Sequence, residues 1–401
     1  MSRPLQIALI STDYPPMRTS TAVLVRDLAE QFAALGHRIV VFAPVPDGQQ
    51  SWQIEKTGGV EVLRLAAPRV RVESNARRAI AEMRLPLTLL RNFRKSPLAS
   101  TEWDLVVWFS PPIFYRPLIS ALGRLSKGRA RNYMILRDIF PEWAVDLGIL
   151  KKGPVYFTFR AIAIAHYAIA DAIGVQSESN LDYLPKWIRS SRRRIEVLHN
   201  WLTATPNIGC SIQVEKTSLA GRKIFVYTGN MGIAQGMEIF IDLVESLRHR
   251  EDIGFIFVGR GTEYANLVAD CVARSLNNIL FFNEIDSTEI PGLLAQCHVG
   301  LVALHPDHRT HNIPGKFASY IRYGLPVLAR VSVGTDLAKL IDEEGVGRAY
   351  TGNSVDQLKR FAEELADNDA LYSAMSARGV QLGRTMFSPE TAAKQIVSLA
   401  E

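Results

Sequence analysis

Four loops, each following an apolar run, hold the residues of this chain whose types and spacing could do chemistry. In Asn312-Ile313-Pro314-Gly315-Lys316-Phe317-Ala318-Ser319-Tyr320, Pro314 suits the first turn of a helix, which puts Lys316 near a helix N-terminus. An anion bound there would meet an ammonium and unpaired backbone N–H groups together; the plainer reading of Lys316 is a solvated side chain. In Tyr227-Thr228-Gly229-Asn230-Met231-Gly232-Ile233-Ala234-Gln235-Gly236, an apolar run ends in glycines and passes into a helix from Met237. Glycine lets a backbone approach a ligand closely, and a helix start offers N–H groups to phosphate. Phe257-Val258-Gly259-Arg260-Gly261-Thr262 repeats that pattern, with Arg260 either a phosphate contact or a solvated turn residue. The fourth loop, 11–21, ends in Thr19-Ser20-Thr21. Its hydroxyls can cap the next helix, and its N–H groups can face an anion or a sugar hydroxyl. Arg18 could reach the same space; an ordinary turn and cap is the alternative. His305, Asp307, His308 and His311 lie close in sequence, but their spacing matches no standard metal site, and neither metal nor cofactor is expected.

The elements that must position these loops alternate. Strands are expected at 5–10, 38–43, 104–109, 133–136 and 172–176, and again at 223–228, 253–258, 279–282, 299–304 and 326–329. A helix at 21–35 places Val25, Leu28, Phe32 and Leu35 on one face and stops at Gly36. Near-continuous apolar strands in βαβ order suit parallel sheets buried on both faces. The expected fold class is α/β: two doubly wound Rossmann-like domains facing a central cleft, where ligands bind outside the carboxyl ends of strands. The periodic signal fails at 200–215, where Thr, Pro, Asn, Gly and Ser gather. A linker at 205–215 then separates a domain 1–204 from a domain 216–385.

Composition narrows the class. The chain has 401 residues, 46 Lys+Arg, 40 Asp+Glu and three cysteines, which excludes a disulfide scaffold and a thiolate metal site. The first apolar run is too short for a signal peptide, and no apolar stretch free of charge is long enough to span a membrane. Residues 1–200 carry 28 basic and 17 acidic side chains, and the rest 18 and 23. The basic excess is densest over 69–95, where Arg77, Arg78, Arg84 and Arg91 alternate with Ile80, Met83, Leu87 and Leu90. That mixture suits an anionic membrane surface or a solvated helix pair. Arg192-Arg193-Arg194 reads as a loop. Nucleic-acid binding is not expected, because no recognised motif accompanies the charge.

Together these pieces resemble the retaining glycosyltransferases of family 4, which have the GT-B fold. The likeness runs through Asp13-Tyr14-Pro15-Pro16, Gly36-His37-Arg38, Arg137-Asp138-Ile139-Phe140-Pro141-Glu142, the string Thr228 to Gly236, Ile313-Pro314-Gly315-Lys316, and Tyr323-Gly324-Leu325-Pro326-Val327. The Arg-Asp-x-x-Pro-Glu and Gly-Asn-x-Gly-x-Ala-Gln-Gly strings are most similar to the branch that builds bacterial surface polysaccharides, O-antigen and colanic acid among them.

The resemblance implies an N-terminal acceptor domain, onto which 386–401 packs back, and a C-terminal nucleotide-sugar domain. It implies transfer from a nucleotide-sugar, by preference UDP-linked, to a polyprenyl-diphosphate-linked or growing polysaccharide acceptor. The enzyme would work without metal on the inner face of the cytoplasmic membrane. Asp138, Lys316 and Glu142 become the catalytic candidates, Glu142 sharing a face with Asp138 if their segment is helical. Gly229, Asn230, Gln235, Gly236, Arg260, Asn283 and Ser319 become donor contacts, and Arg18, Thr19 and Arg137 acceptor contacts. Where many members carry a pair of glutamates, this chain has His311 and Ser319. Two other readings stand beside transfer: a sugar-nucleotide epimerase, and a catalytically silent member that binds a partner or lipid.

Overall fold

The structure is a computed structural model that describes residues 3–17, 19–70, 75–146, 148–189, 193–305 and 313–401. The chain divides into two compact units, Met1–Trp201 with Pro389–Glu401, and Leu202–Ser388. Each is built on its own sheet.

The first unit carries β1 (Gln6–Ile10), β2 (Arg38–Pro46), β3 (Trp52–Thr57), β4 (Val60–Ala67), β5 (Leu105–Ser110), β6 (Arg131–Leu136), β7 (Ala172–Val175) and β8 (Arg194–Val197), in the sheet order 3-4-2-1-5-6-7-8. All pairings are parallel except β3 with β4. The period of two along a strand divides its side chains between two cores. Ala8 and Ile10 of β1 face one core with Val106 and Trp108 of β5; Ile7 and Leu9 face the other with Leu105, Val107 and Phe109. Helices cover both faces: α1 (Ser20–Ala34), α2 (Asn75–Phe93), α3 (Arg116–Leu125), the short α4 (Glu142–Asp146), α5 (Pro154–Tyr167) and the single-turn α6 (Lys186–Arg189). Leu85, Leu89 and Phe93 anchor α2 on the first core, and Leu24, Val25, Leu28 and Phe32 anchor α1 on the second.

The second unit carries β9 (Lys223–Asn230), β10 (Ile253–Arg260), β11 (Ile279–Phe282), β12 (Val299–Ala303), β13 (Val327–Arg330) and β14 (Gly347–Tyr350) in the order 11-10-9-12-13-14, all parallel. Its helices are α7 (Glu238–Ser246), α8 (Tyr264–Ala273), α9 (Ile290–Leu294), α10 (Gly315–Arg322), α11 (Asp336–Glu344), α12 (Val355–Asp367) and α13 (Asp369–Thr385). The last helix, α14 (Pro389–Val397), belongs to the first unit, where Ala392, Ala393, Ile396 and Val397 join the core beneath α1.

Both sheets are doubly wound, as the apolar runs predict. Four strands escape that pattern: the β3–β4 ribbon, β8 and β14. In each sheet the order reverses at an inner strand, β1 between β2 and β5, and β9 between β10 and β12. Loops leaving the carboxyl ends beside such a reversal are where this architecture binds ligands. Among the described residues no helix is long and apolar enough to cross a membrane.

Candidate active site

In the second unit β9 and β10 stay paired to their carboxyl ends, where Gly259, at φ +155°, lies opposite Gly229. A Cβ on Gly259 would lie 1.9 Å from the Gly229 carbonyl oxygen, so glycine is required there. Gly229 has φ +120°, and a Cβ built on it would meet the Lys316 Nζ at 3.6 Å. Lys316 is the second residue of α10. Pro314 is the N-cap, one position before the first helical residue, and brings no side-chain acceptor for the N–H groups behind it. Tyr320 fixes the helix: its hydroxyl accepts the Thr228 N–H at 2.8 Å, and its ring fills the space that a side chain on Gly300 would need. The Lys316 ammonium rests over the face of Tyr227, 3.7 Å from the ring centre. Dense protein around it pushes its pKa down to about 7, because burial disfavours the charged form.

The loop after β9 is stapled by its own amides. The Gln235 Oε1 accepts the Asn230 Nδ2–H at 3.0 Å and the Gly232 N–H at 2.9 Å. Tyr227 donates its hydroxyl to the Asn230 carbonyl, which holds the ring in place. Beside Gly236 runs the buried Arg330, whose guanidinium donates to the Leu304 carbonyl at 3.0 Å and to Asn353 at 2.6 Å. Arg260 stands at the carboxyl end of β10, 79% exposed, in an ion pair of 3.2 Å with Glu284; such a surface pair contributes little but tempers the charge Arg260 offers. Asn283 lines a separate pocket of about 600 Å3 with Ser211, Gln213, Lys216 and Glu284. Ser319 lies on α10 three residues beyond Lys316, a spacing that shares a face. His311 lies outside the described residues.

In the first unit a pocket of about 290 Å3 opens where the loops after β1, β5 and β6 meet the start of α1. Thr12, Asp13, Ser20, Thr21, Ser110, Arg137 and Asp138 line it, with Glu82 from α2. Thr19 is the N-cap of α1: its hydroxyl accepts the Ala22 N–H at 3.2 Å and donates to Asp13 at 2.7 Å. Arg137 donates to the Thr21 hydroxyl at 3.2 Å. Burial raises the pKa of Asp138, an effect the adjacent guanidinium partly offsets, and burial lowers that of Arg137. Asp138 and Glu142 do not share a helical face, because α4 begins only at Glu142. The Glu142 carboxylate instead meets Arg160 at 3.6 Å and Tyr156 at 3.5 Å, both on α5. Arg18 lies outside the described residues.

Two family models match: "Glycosyl transferase 4-like domain" over residues 20–201 and "Glycosyl transferases group 1" over 222–368. The chain belongs to these glycosyltransferases. A protein of Escherichia coli (strain K12) named "Putative colanic acid biosynthesis glycosyl transferase WcaI" is 24% identical over 393 residues, 88% of this chain and 90% of its own length. "Probable glycosyltransferase WbjE" of Pseudomonas aeruginosa is 24% identical over 242 residues, 59% of this chain; the match spans only 60% of that relative's length. Among solved structures, Alr3699/HepE of Anabaena, crystallised with UDP and glucose, superposes with a TM-score of 0.66 at 14% identity, covering 98% of each chain. The fold is therefore GT-B.

In this glycosyltransferase the sequence pattern singles out Lys316, Gly229, Asn230, Gln235 and Gly236, which the structure brings together around the end of β9. It misses Tyr227 and Arg330, whose signal is only a tyrosine and an arginine closing apolar strands. In the first unit it misses Asp13, Glu82 and Ser110 as pocket residues. Asp13 lies in the 11–21 loop, three residues after the end of β1, which marks it in retrospect; Glu82 comes from a helix remote in sequence and carries no such mark.

Proposed function

We propose that this glycosyltransferase moves a hexose from a UDP-sugar to a lipid-linked or growing surface-polysaccharide acceptor, with retention of anomeric configuration and without a metal. The observation that carries this reading is the Lys316 ammonium at the open N-terminus of α10, against the side-chain-free Gly229. A nucleoside diphosphate meets there one cation, the positive end of a helix and a backbone that no Cβ keeps away. The diphosphate bound by Alr3699/HepE supports UDP as the carrier, and the name of the Escherichia coli relative supports a polysaccharide product.

In this reading the bond between the sugar C1 and the diphosphate oxygen breaks as the acceptor hydroxyl oxygen bonds to C1 from the same face. The acceptor proton passes to the departing phosphate oxygen, so charges and atoms balance. Negative charge grows on phosphate, and fixed donors aimed there stabilise the transition state; Lys316 and the N–H groups of α10 are assigned to this. Gln235, Asn230 and Arg330 keep the loop in shape, and Ser319 serves a ribose hydroxyl. Asp138 and Arg137 orient the acceptor from the first unit.

The membrane part of the proposal rests on α2. Arg77, Arg84 and Arg91 are exposed on the helix, and between them Ile80, Met83 and Leu87 are exposed too, Leu87 at 57%. The side chain of Arg78 lies outside the described residues. Basic and apolar groups on one exposed face suit anionic lipid.

The test is transfer itself. Purified protein is incubated with a panel of UDP-hexoses and polyprenyl-linked saccharide, and the product's anomeric configuration is read by NMR. A product with the donor's configuration supports the reading. Inversion, or interconversion of UDP-sugars with no acceptor present, contradicts it.

A further inference from the structure

Among the described residues twelve large apolar side chains stay exposed, and six of them gather on two segments of the first unit. Ile80, Met83 and Leu87 lie on α2. Ile149 lies just before α5, and Val155 and Phe157 lie in its first turn, at 62%, 57% and 59% exposure. The second segment is one-sided in charge. From 147 to 170 the sequence holds no acidic residue, and Lys151 and Lys152 stand exposed between Ile149 and Val155. Arg160, in the second turn of α5, meets Glu142 at 3.6 Å; Lys151 and Lys152 have no carboxylate partner among the described residues.

Topology brings the two segments to one edge. A crossover between parallel strands leaves from the carboxyl end of the first strand. The α2 helix connects β4 to β5, and α5 lies between β6 and β7, so both start at the carboxyl end of the sheet. Both also pack on one face, since Leu85 and Leu89 of α2 share a core with Ala163 and Tyr167 of α5. Contacts agree with this placement. Glu82 on α2 lines the pocket at the strand ends, and Tyr156 on α5 reaches Glu142, in the segment that leaves β6. Arg116, exposed at the start of α3, stands at the same edge because α3 follows β5. The nearby Phe114 ring meets Phe159 of α5 with their centres 6.4 Å apart. The rim beside the pocket is therefore apolar and basic together.

Exposed apolar groups gathered in this way mark a surface that is covered in use, and the charge says by what. Two copies meeting through the rim would set Arg116, Lys151 and Lys152 against their own kind. Anionic lipid takes the apolar side chains below its headgroups and the cations among them. We propose that residues 149–157 dock the first unit on anionic membrane lipid, with Ile149, Val155 and Phe157 entering the interface and Lys151 and Lys152 at the phosphates. This extends the membrane reading of α2, on which it rests, by a second anchor on the other side of α3.

Hydrogen exchange of the full chain, read by mass spectrometry, tests this with vesicles of phosphatidylcholine and of phosphatidylcholine mixed with phosphatidylglycerol. Peptides covering 149–158 exchange several-fold more slowly on the mixed vesicles and at an unchanged rate on the neutral ones. Ile149→Ser, Val155→Ser and Phe157→Ser together lower the ratio of vesicle-bound to free protein about tenfold. Lys151→Ser with Lys152→Ser lowers it several-fold at low salt and less at high salt, where exposed charges are screened. The five side chains are exposed, so both variants keep the wild-type Tm. An unprotected 149–158 in vesicle-bound protein overturns the proposal, and so does a triple serine variant that binds as the wild type does. A wild type that forms a concentration-dependent dimer and ignores vesicles, with the dimer lost in the triple serine variant, gives the face to a second copy and overturns it too. Binding that only the α2 arginines control removes this anchor and leaves the α2 reading standing. No vesicle binding by the wild type removes both, and transfer from a UDP-sugar to a soluble saccharide still decides the transferase reading.

Discussion

The Lys316 ammonium stands 3.7 Å from the centre of the Tyr227 ring, a cation held by an aromatic face. Among the described residues no carboxylate pairs with it. A ring attracts a cation by ~0.5–2 kcal/mol, enough to point the side chain and too little to neutralise it. The Tyr227 hydroxyl is in turn bound to the Asn230 carbonyl, so the ring, the β9 loop and the lysine are one mechanical unit.

Removing the ring therefore weakens donor binding more than removing its hydroxyl. Tyr227→Leu is expected to raise the KM for the UDP-sugar about tenfold, the equivalent of ~1.4 kcal/mol within the cation–π range. Tyr227→Phe keeps the face and is expected to stay within about threefold. Steady-state kinetics on both variants, checked for equal folding by circular dichroism, decides the point.

Donor binding should take up a proton. Lys316 is pushed down to about 7 by burial, and a diphosphate beside it favours the ammonium and raises that value. Below pH 7 the lysine is already charged and nothing is taken up. Above it the free protein must gain a proton to bind, so UDP affinity falls with rising pH, by up to about tenfold per unit. Titration calorimetry at pH 8 in buffers of different ionisation enthalpy measures the uptake; a Lys316→Ala variant should lose it.

A second buried base predicts acid sensitivity of the first unit. His166 is fully buried, accepts the Trp108 Nε1–H at 2.9 Å, and is held down to about 3 by desolvation. Above pH 6.5 the imidazole is neutral whether folded or unfolded, and pH does not matter. Below that the unfolded chain binds the proton and the folded one does not, so stability falls by up to ~1.4 kcal/mol per pH unit until about pH 3. Denaturant titrations at pH 7 and pH 5 should show this slope, and His166→Gln should flatten it.

Gly259 and the Gly229 carbonyl leave no space for a methyl group. Gly259→Ala is expected to cost several kcal/mol of stability or to push β9 and β10 apart at the loop, abolishing UDP binding. A variant with native stability and native UDP affinity would show that the two strand ends are looser than they stand here.

On α2, exchanging Arg77, Arg84 and Arg91 for Ser should release the protein from anionic vesicles at physiological salt, while neutral vesicles bind neither form. Sedimentation with vesicles over a salt series reads this directly, since screening weakens exposed charges.

What the sequence shows of all this follows from where apolar pattern is strong. The inner strands β1, β5, β9 and β10 are buried on both faces and read as unbroken apolar runs. The β3 strand sits at an edge, pairs antiparallel, and carries the adjacent charges Glu55 and Lys56; β14, Gly-Arg-Ala-Tyr, has only four residues. Neither has a run to find. The loop after β9 is legible because glycine and an N-terminal lysine are local signals. The pocket of the first unit is legible in part: Arg137, Asp138 and the 11–21 loop follow apolar runs and are marked in the sequence, whereas Glu82 comes from α2, which only the fold brings beside them. The spacing of Asp138 and Glu142 misleads because regular helix starts one residue after Pro141, leaving only Glu142 on α4.

The central claim is that Lys316 and the end of β9 bind the diphosphate of a nucleotide-sugar. Thermal unfolding of the wild-type chain and of Lys316→Ala, each with and without millimolar UDP, tests it most directly. A ligand that binds the native state at a hundredfold excess over Kd stabilises it by about 2.7 kcal/mol. The account predicts a clear upward shift in Tm for the wild type and a shift largely lost in Lys316→Ala, whose own Tm without ligand stays close to the wild type. No shift in the wild type, or an equal shift in both proteins, would contradict it.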